Sequence, residues 1–190
     1  MFPLPRRALR RSLLALGAML SAIAGTQAMP AGPAVNVDLA RYSGRWYVIA
    51  CAPTPQPRPL GAYFEYKPRG DGRIDEAYTA RGGSFDGAPV TVEHIASADP
   101  EHPGKWKVRK GWLRSDEQWV LYVSSDYRQA IAGAPDRAEA WILAREPVIP
   151  DWIFAGLLAR VAMQGYDVSQ IHRVAQKPEQ LGQPGYPWRE

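Results

Sequence analysis

Side chains that could carry out chemistry are few in this sequence, and they are far apart. Cysteine occurs once, at Cys51, and the histidines are His94, His102 and His172. No H-E-x-x-H or C-x-x-C spacing groups them as metal ligands or as a redox pair, and Ser124–Ser125 lacks the flanking glycines of a nucleophile elbow. We therefore predict no catalytic residue, no metal site and no cofactor.

Cys51 and His94 each leave an alternative open. Cys51 stands between two alanines with no cation nearby in the sequence, which is typical of a packed thiol rather than a reactive one. His94 could serve as a base or a haem ligand, although a lone histidine on a strand is more often simply hydrogen-bonded. The alternative function that this leaves is an enzyme, either an isomerase or a thiol-dependent peroxide reductase that uses Cys51.

The first 28 residues have the layout of a secretory signal peptide. Four arginines precede an apolar run over 13–24, and small residues follow it. Because the run is short for a membrane span, we predict cleavage after Ala28, with cleavage after Ala24 or a retained N-terminal anchor as alternatives. The pair Arg10–Arg11 leaves twin-arginine export open beside the general route.

Removal of this leader changes the net charge of the chain. The whole chain has 23 basic and 19 acidic residues, and the leader contributes four arginines and no acid, so the remainder is neutral. A neutral chain gives no support for nucleic-acid binding. No cysteine lies near residue 28, so we predict an exported protein, periplasmic or secreted, that is soluble rather than lipid-anchored. A single cysteine also excludes an internal disulfide.

Eight short segments with strand periodicity follow the leader, and turn signals separate them. The segments are RWYVIACA, GAYFEYK, RIDEAYTAR, PVTVEHIA, KWKVRKGW, QWVLYVSS, YRQAIAG and EAWILAR. Eight such strands in succession predict an all-β fold, an eight-stranded antiparallel up-and-down barrel. We place this barrel in a single domain over residues 29–175.

One segment near the end of the chain has helical periodicity instead. In PDWIFAGLLARVAMQGYD the apolar residues recur at intervals of three and four, which predicts one C-terminal α-helix over 150–165, packed on the outside of the barrel. The following IHRVAQ could add a further strand. Residues 176–190 are predicted to form a loose polar tail.

The first strand begins with RYSGRWY, in which a glycine stands two positions before a tryptophan. At the closed end of a small barrel the strands converge, and a large flat side chain such as Trp46 can fill the floor. Gly44 lets the chain turn into the strand without a Cβ clash. A cation stacked on the indole would hold it, and Arg145 at the end of WILAR is the candidate.

These segments together resemble the lipocalin family, and within it the bacterial lipocalins. The resemblance covers about residues 37–174 and rests on YSGRWY, SDYRQAIAG, WILAREP and the helix that ends in GYDVSQI. It implies a ligand such as a fatty acid or a lysophospholipid. Bacterial lipocalins are often outer-membrane lipoproteins, and this sequence departs from them by lacking the lipidated cysteine. The residues that the resemblance assigns to the scaffold, rather than to the ligand, are Gly44, Trp46, Asp126, Tyr127 and Arg145.

Strand alternation counted from Trp46 predicts which residues face the barrel interior. Ala50 would point inward, and Cys51 would point outward or lie at the rim. A slip of one residue in register would reverse any strand. Further inward positions are Ile74, Val120, Gln129, Ile131 and Leu143. The residues predicted to bind the ligand are Val48, Phe64, Tyr66, Glu76, Tyr78, Trp106, Val108, Lys110, Tyr122 and Trp141.

Glu76 and Lys110 are unusual in this lining because a charge inside a barrel needs a partner or water to offset its desolvation. Lys110, near the end of its strand, could meet the carboxylate or phosphate head group of a ligand at the mouth. Alternatively, Glu76 and Lys110 pair with each other.

The sequence thus predicts a protein that binds, stores or transports a small hydrophobic or amphiphilic molecule. Its partner would be a small lipid or other apolar ligand, with exchange of lipid at a membrane surface. We expect a monomer or a weak homodimer. The outward face of Trp119, Leu121 and Val123 could form a dimer seam unless the helix covers it.

Overall fold

The computed structural model describes residues 32–33, 36–52, 58–110 and 114–186. The predicted signal peptide over 1–28 and the last four residues of the predicted tail lie outside these ranges, and so does the proline-rich segment 53–57. Within the described ranges the chain forms nine β-strands, two α-helices and two short 3-10 helices.

Eight antiparallel strands follow one another along the chain and close into a barrel. They are β1 (Gly44–Ala52), β2 (Pro59–Pro68), β3 (Arg73–Gly82), β4 (Val90–Ala98), β5 (Lys105–Arg109), β6 (Ser115–Val123), β7 (Gln129–Gly133) and β8 (Ala140–Ala144). Each strand pairs with the next one, and β1 pairs with both β2 and β8, which closes the sheet. The predicted eight-stranded up-and-down barrel is confirmed.

The main helix, α2 (Asp151–Met163), lies against the outside of this barrel, as the sequence predicted. Its buried residues, Leu157 and Val161, pack on an apolar outer face made by strands β1, β6, β7 and β8. Asp151 in its first turn and Arg160 in its last turn complement the helix dipole. In the described part of the chain, no helix is both long enough and apolar enough to cross a membrane.

A β-bulge in β1 reverses the side-chain alternation predicted for that strand. The pairing of β1 with β8 shifts register between Val48 and Ala50. Ile49 and Ala50 therefore both pack on the outer face, under α2, whereas Cys51 returns to the interior. The prediction that Ala50 points inward is wrong, because the bulge adds one residue to the alternation. Of the two positions predicted for Cys51, the outward one is wrong, since Cys51 faces the interior next to the last residue of β1 at the open end.

A second bulge, in β6, has the same effect on Tyr122. The pairing of β6 with β7 shifts register between Val120 and Tyr122. Leu121 and Tyr122 both lie on the outer face, and the guanidinium of Arg160 in α2 stacks 4.4 Å from the centre of the Tyr122 ring. The prediction that Tyr122 lines the cavity is therefore wrong.

Strand β7 follows β6 and is also reversed relative to the prediction. Ile131 pairs with Tyr122 and packs in the outer cluster, and Gln129 faces the groove beside α2. Ala130 and Ala132 take the interior positions instead. Small side chains on this strand leave room inside the barrel for the large rings of other strands.

The helix also covers the face that the sequence offered as a dimer seam. Leu121 is buried and Trp119 is half-buried in the cluster under α2. Val123 packs in the interior because it follows the bulge. These three residues therefore do not form a common exposed seam.

The chain after α2 returns to the barrel at the place where β1 and β2 separate. Pairing between these strands ends at Tyr47 and Tyr63, and a ninth strand, β9 (His172–Arg173), then pairs with β1. Gln176 donates its side-chain amide to the carbonyls of Val48 and Ala62, at 2.8 and 3.1 Å. The further strand is thus confirmed, and in the described part of the predicted tail Gln176 and the buried Gln180 are held by hydrogen bonds.

Candidate functional site

The closed end of the barrel is filled by stacked aromatic side chains. A short helix, α1 (Leu39–Tyr42), crosses this end and is capped by Asp38. Tyr42 stacks on the fully buried Trp46 with ring centroids 4.8 Å apart, and it contacts Tyr66 and Trp106 at 5.4 Å each. These rings form the floor of the interior.

Arg145 holds this floor from below, in the stack that the sequence predicted. Its guanidinium carbon lies 3.9 Å from the centre of the Trp46 ring. The same group donates to the backbone carbonyls of Arg45 and Arg41, each at 2.8 Å, and of Tyr127 at 3.3 Å. The cation therefore ties β1, α1 and the turn before β7 to one indole.

Gly44, Asp126 and Tyr127 shape the backbone around that cation. Gly44 has a φ of +88°, and a Cβ there would lie 3.5 Å from the Arg145 guanidinium. The Asp126 carboxylate accepts from the Ser124 hydroxyl and the Arg128 amide within the turn. The Tyr127 hydroxyl accepts from the Asp38 amide at 2.8 Å. These contacts are structural.

Above the floor, the barrel contains a cavity of about 330 Å³. Wider grooves of about 1100 Å³ along β2, β3 and β4 and of about 620 Å³ beside α2 lie on the outer surface, but they are not enclosed by the barrel. The interior cavity is therefore the candidate site. Its wall consists of Cys51, Ala52, Phe64, Glu76, Tyr78, Val92, His94, Lys110, Gln118, Glu139 and Trp141.

The predicted lining residues occupy three different places. Val48, Tyr66, Trp106 and Val108 are interior but buried in the packed core at and near the floor. Tyr122 is outside, as described above. Those on the cavity wall are Phe64, Glu76, Tyr78, Lys110 and Trp141.

The other wall residues were not among the predicted ligand-binding residues, although strand alternation could have found most of them. Val92 and His94 share the inward face of β4 with the buried Ala96. Gln118 shares the inward face of β6 with Val120, and Glu139 stands two residues before Trp141. Cys51 could not be found in this way because of the bulge in β1.

Strand register gives the depth of each wall residue in the cavity. Gly44 at the closed end pairs with Tyr66, Tyr66 pairs with Glu76, and Glu76 pairs with His94. Glu76 is therefore the wall residue nearest the aromatic floor on β3. Lys110 follows the end of β5 and Glu139 precedes β8, so both stand at the open end. A ligand would pass Lys110 and Glu139 before it reached Glu76.

Glu76 is a carboxyl group buried inside this wall, with 4% of its surface exposed. Its Oε1 lies 3.5 Å from Nδ1 of His94, and its Oε2 has no hydrogen-bond partner among the described residues. Burial raises the pKa of Glu76 to about 7, an effect that the charge of Lys110 partly opposes. Both the neutral and the ionised carboxyl are therefore populated near neutral pH.

Among the described residues, the charged and titratable groups around Glu76 leave it without a strong counter-charge. Burial and the charge of Lys110 lower the pKa of His94, which keeps the imidazole neutral at neutral pH. Burial raises the pKa of the Tyr42 and Tyr66 phenols, so these are neutral too. Lys110 forms its ion pair with Asp116, at 2.9 Å, and not with Glu76.

Cys51 lies on the cavity wall as an uncharged thiol. Burial raises its pKa to about 11, so the thiolate that nucleophilic or peroxide chemistry requires is scarce at neutral pH. Among the described residues, no group of three or more His, Cys, Asp or Glu side chains is arranged to hold a metal ion.

Comparison with known sequences gives a consistent family. A family model described as "Lipocalin-like domain" matches residues 37–176. Temperature-induced lipocalin-1 of Arabidopsis thaliana is 30% identical over 155 residues, which cover 74% of this chain and 80% of the relative. The outer membrane lipoprotein Blc of Escherichia coli is 30% identical over 154 residues, with the same coverage of both chains.

Solved structures with the same architecture include two invertebrate proteins. Lobster apocrustacyanin A1 matches with a TM-score of 0.59 and 15% identity, covering 74% of this chain and 80% of its own. Insecticyanin of the tobacco hornworm Manduca sexta matches with a TM-score of 0.58 and 18% identity, covering 82% and 87%. At these identities the likeness concerns the fold alone.

Proposed function

Because the chain belongs to the lipocalin family, we propose that it binds a small hydrophobic or amphiphilic molecule inside its barrel. The observation that carries this proposal is the interior cavity of about 330 Å³, walled by Phe64, Tyr78 and Trp141 and open at one end. Burial of an apolar ligand against these rings releases water from both surfaces, which is the main favourable contribution to such binding.

The volume of the cavity limits the size of the ligand. It lies near the lower end of the roughly 300 to 1,000 Å³ that is usual for small-molecule sites. The rings that fill the floor shorten the interior, so a long straight chain cannot be buried over its whole length. Short or kinked chains should therefore compete better than long straight ones.

Within this class we propose a fatty acid or a lysophospholipid, held with its acyl chain inside and its head group at the mouth. Lys110 supports this orientation, because it stands at the open end with 38% of its side chain exposed. Its partner Asp116 cancels part of its charge, so its attraction for an anionic head group is modest. The buried carboxyl of Glu76 opposes the reverse orientation, in which a second carboxylate would reach the floor.

Titration with an environment-sensitive fluorescent fatty acid tests the binding proposal. We expect the probe to bind, to quench tryptophan emission through Trp141, and to be displaced by unlabelled short-chain fatty acids or lysophospholipids. Native mass spectrometry of protein purified from its own compartment would then identify the ligand that it carries. Failure to bind any amphiphile would leave a packed barrel without a ligand and would refute the proposal.

The head-group position can be tested with charge variants at the mouth. Lys110→Glu should weaken binding of anionic lipids and leave neutral lipids unchanged, because the reversed charge repels the anionic head group. Asp116→Asn should have the opposite effect, because it frees the charge of Lys110. Lys107→Glu is the matched control, since Lys107 is exposed on β5 and does not line the cavity. Equal loss for anionic and neutral lipids in Lys110→Glu would show that Lys110 only supports the wall.

We further propose that the protein works outside the cytoplasm as an exported, unanchored carrier that exchanges lipid at a membrane surface. The layout of residues 1–28 supports export, and the relative from Escherichia coli is named as an outer membrane lipoprotein. The absence of a cysteine near residue 28 favours a carrier without a lipid anchor.

A further inference from the structure

The cavity wall next to the aromatic floor contains a hydrogen-bond acceptor that no described side chain pairs with. Oε2 of Glu76 is buried without a hydrogen-bond partner among the described residues, and His94 lies near Oε1 only. A buried, unpaired carboxyl oxygen destabilises the protein that carries it, because it has lost its hydrogen bonds to water without replacement. Such a group is therefore informative about what the cavity is built to hold.

We propose that Glu76 selects ligands that carry a hydrogen-bond donor, a hydroxyl or an ammonium group, at the end that enters the barrel. This inference rests on the proposed function, because it concerns the buried end of the same amphiphile whose head group stays at the mouth. It goes beyond that function by assigning the specificity of the floor to one side chain.

A donor in this part of the cavity would pair with the carboxyl of Glu76 and restore a hydrogen bond that burial removed. A methyl end in the same position would only dehydrate the carboxyl further. Such a donor improves affinity because its hydrogen bond to the carboxyl offsets the dehydration that any ligand end causes when it enters this part of the cavity. Ammonium groups gain a second contribution, since the faces of Phe64, Tyr78 and Trp141 line the same cavity and attract cations.

Because Glu76 titrates near neutral pH, the affinity for a ligand with an ammonium end and the affinity for a ligand with a methyl end should change with pH in opposite directions. A methyl end favours the neutral carboxyl, so its affinity should fall as the pH rises through 7. An ammonium end favours the ionised carboxyl, so its affinity should rise over the same range. The facing groups His94, Tyr42 and Tyr66 stay neutral above pH 7, and Lys110 stays paired with Asp116.

Three ligands of equal chain length test the proposal: decanoic acid, 10-hydroxydecanoic acid and 10-aminodecanoic acid. All three present a carboxylate to the mouth and differ only at the buried end. For the wild-type protein at pH 8 we expect 10-hydroxydecanoic acid and 10-aminodecanoic acid to bind roughly ten-fold more tightly than decanoic acid. This is the effect of one hydrogen bond to a charged group. Calorimetric titrations from pH 6 to 8.5 should show the opposite slopes described above.

Two variants of Glu76 separate its acceptor from its charge. Glu76→Met keeps the length of the side chain and removes the acceptor, so it should abolish the preference for the hydroxyl end while decanoic acid still binds. Glu76→Gln keeps an acceptor and removes the charge, so it should keep the hydroxyl preference and abolish the pH dependence. Glu117→Gln is the control, since Glu117 is exposed on β6 and does not line the cavity, and it should change neither.

The outcomes distinguish this inference from the proposed function. If decanoic acid binds but 10-hydroxydecanoic acid and 10-aminodecanoic acid bind no more tightly, the inference is wrong and the proposed function stands. If Glu76→Met still prefers the hydroxyl end to the methyl end, another group binds the buried end of the ligand and the inference is again wrong. If no amphiphile binds to the wild-type protein, the proposed function itself is refuted.

Discussion

At the scale of single residues, Arg145 and Trp46 determine how the barrel is closed. The cation contacts one ring face and three carbonyls from separate parts of the chain, so it replaces hydrogen bonds that water would otherwise provide. The indole in turn donates its Nε1 hydrogen to the carbonyl of Tyr42 at 2.8 Å. Neither side chain touches the cavity, so their contribution is to stability and not to ligand choice.

Replacement of this indole tests that assignment. Trp46→Ala should lower the free energy of unfolding by about 3 to 5 kcal/mol, because it removes a fully buried ring and leaves Arg145 unstacked. Trp152→Ala is the control, since Trp152 is 76% exposed on α2, and it should change stability by less than about 0.5 kcal/mol. Urea unfolding of both variants measures the difference. A Trp46→Ala protein as stable as the parent would contradict the role of the ring as a floor.

Glu76 makes the stability of the protein depend on pH. Its pKa is about 7 in the folded protein and near 4.5 when unfolded, so the folded state binds the proton more tightly. Its contribution to stability is therefore fully present below pH 4.5 and is lost as the pH rises through 7. This direction is opposite to that of a carboxylate in an ion pair.

Glu76→Gln should remove this pH dependence. At pH 5 the variant and the wild type should have similar stability, and by pH 8 the variant should be more stable by about 3 kcal/mol. Urea unfolding of both proteins at pH 5, 6, 7 and 8 measures the difference, and other titrating groups cancel in the comparison. A difference that stays constant with pH would show that Glu76 is ionised throughout.

At the scale of elements, the bulges in β1 and β6 and the docking of α2 form one arrangement. Each bulge places two consecutive side chains on the outer face, Ile49 with Ala50 and Leu121 with Tyr122, and these pairs contribute to the surface on which α2 packs. The bulges therefore widen the apolar area under the helix. The bulge in β1 also moves Cys51 into the cavity wall.

Gly133 lies in close contact with Tyr166, in the segment after α2. A Cβ at Gly133 would lie 2.6 Å from the hydroxyl oxygen of Tyr166 and 2.9 Å from the carbonyl of Glu139, so Gly133→Ala should destabilise the protein by about 1 to 3 kcal/mol. The hydroxyl of Tyr166 donates to Ala134 at 2.7 Å, and that contact would have to move.

Gly156→Ala provides the matched comparison. It lies within α2, a Cβ there would meet no atom within 4 Å, and alanine favours the helix, so this variant should gain up to about 1 kcal/mol. Thermal unfolding of the two glycine variants should therefore shift in opposite directions. Equal shifts of the unfolding temperature in the two variants would show that there is room for a Cβ between Gly133 and Tyr166.

At the scale of the whole molecule, export is the prediction that most affects function. We expect the mature chain to begin at Met29, or at Gly25 if cleavage follows Ala24, because small residues precede both positions. Intact-mass measurement of protein purified from its own compartment should match one of these starts without added lipid. A mass that includes Met1 would show a retained leader, and an additional acyl mass would show a lipid anchor.

The sequence by itself was sufficient for the order of elements and for the closed end. Alternation of apolar residues is a local property of a strand, and the spacing of three and four is a local property of a helix, so both are visible without neighbours. The pairing of Trp46 with Arg145 could be proposed because a large flat ring fits the narrow end of a barrel and a cation stacks favourably on the face of an indole.

Only the tertiary structure decided which side chains meet in the cavity. The bulges at Ile49–Ala50 and Leu121–Tyr122 depend on packing between strands and under α2, so alternation counted along one strand misplaced Cys51 and Tyr122. The docking of Gln176 on two distant carbonyls has no local signal, because residues 128 and 114 positions away accept its hydrogen bonds. The environment of Glu76 has the same cause: its pKa and its unpaired oxygen come from desolvation by several strands at once, which no segment of sequence contains.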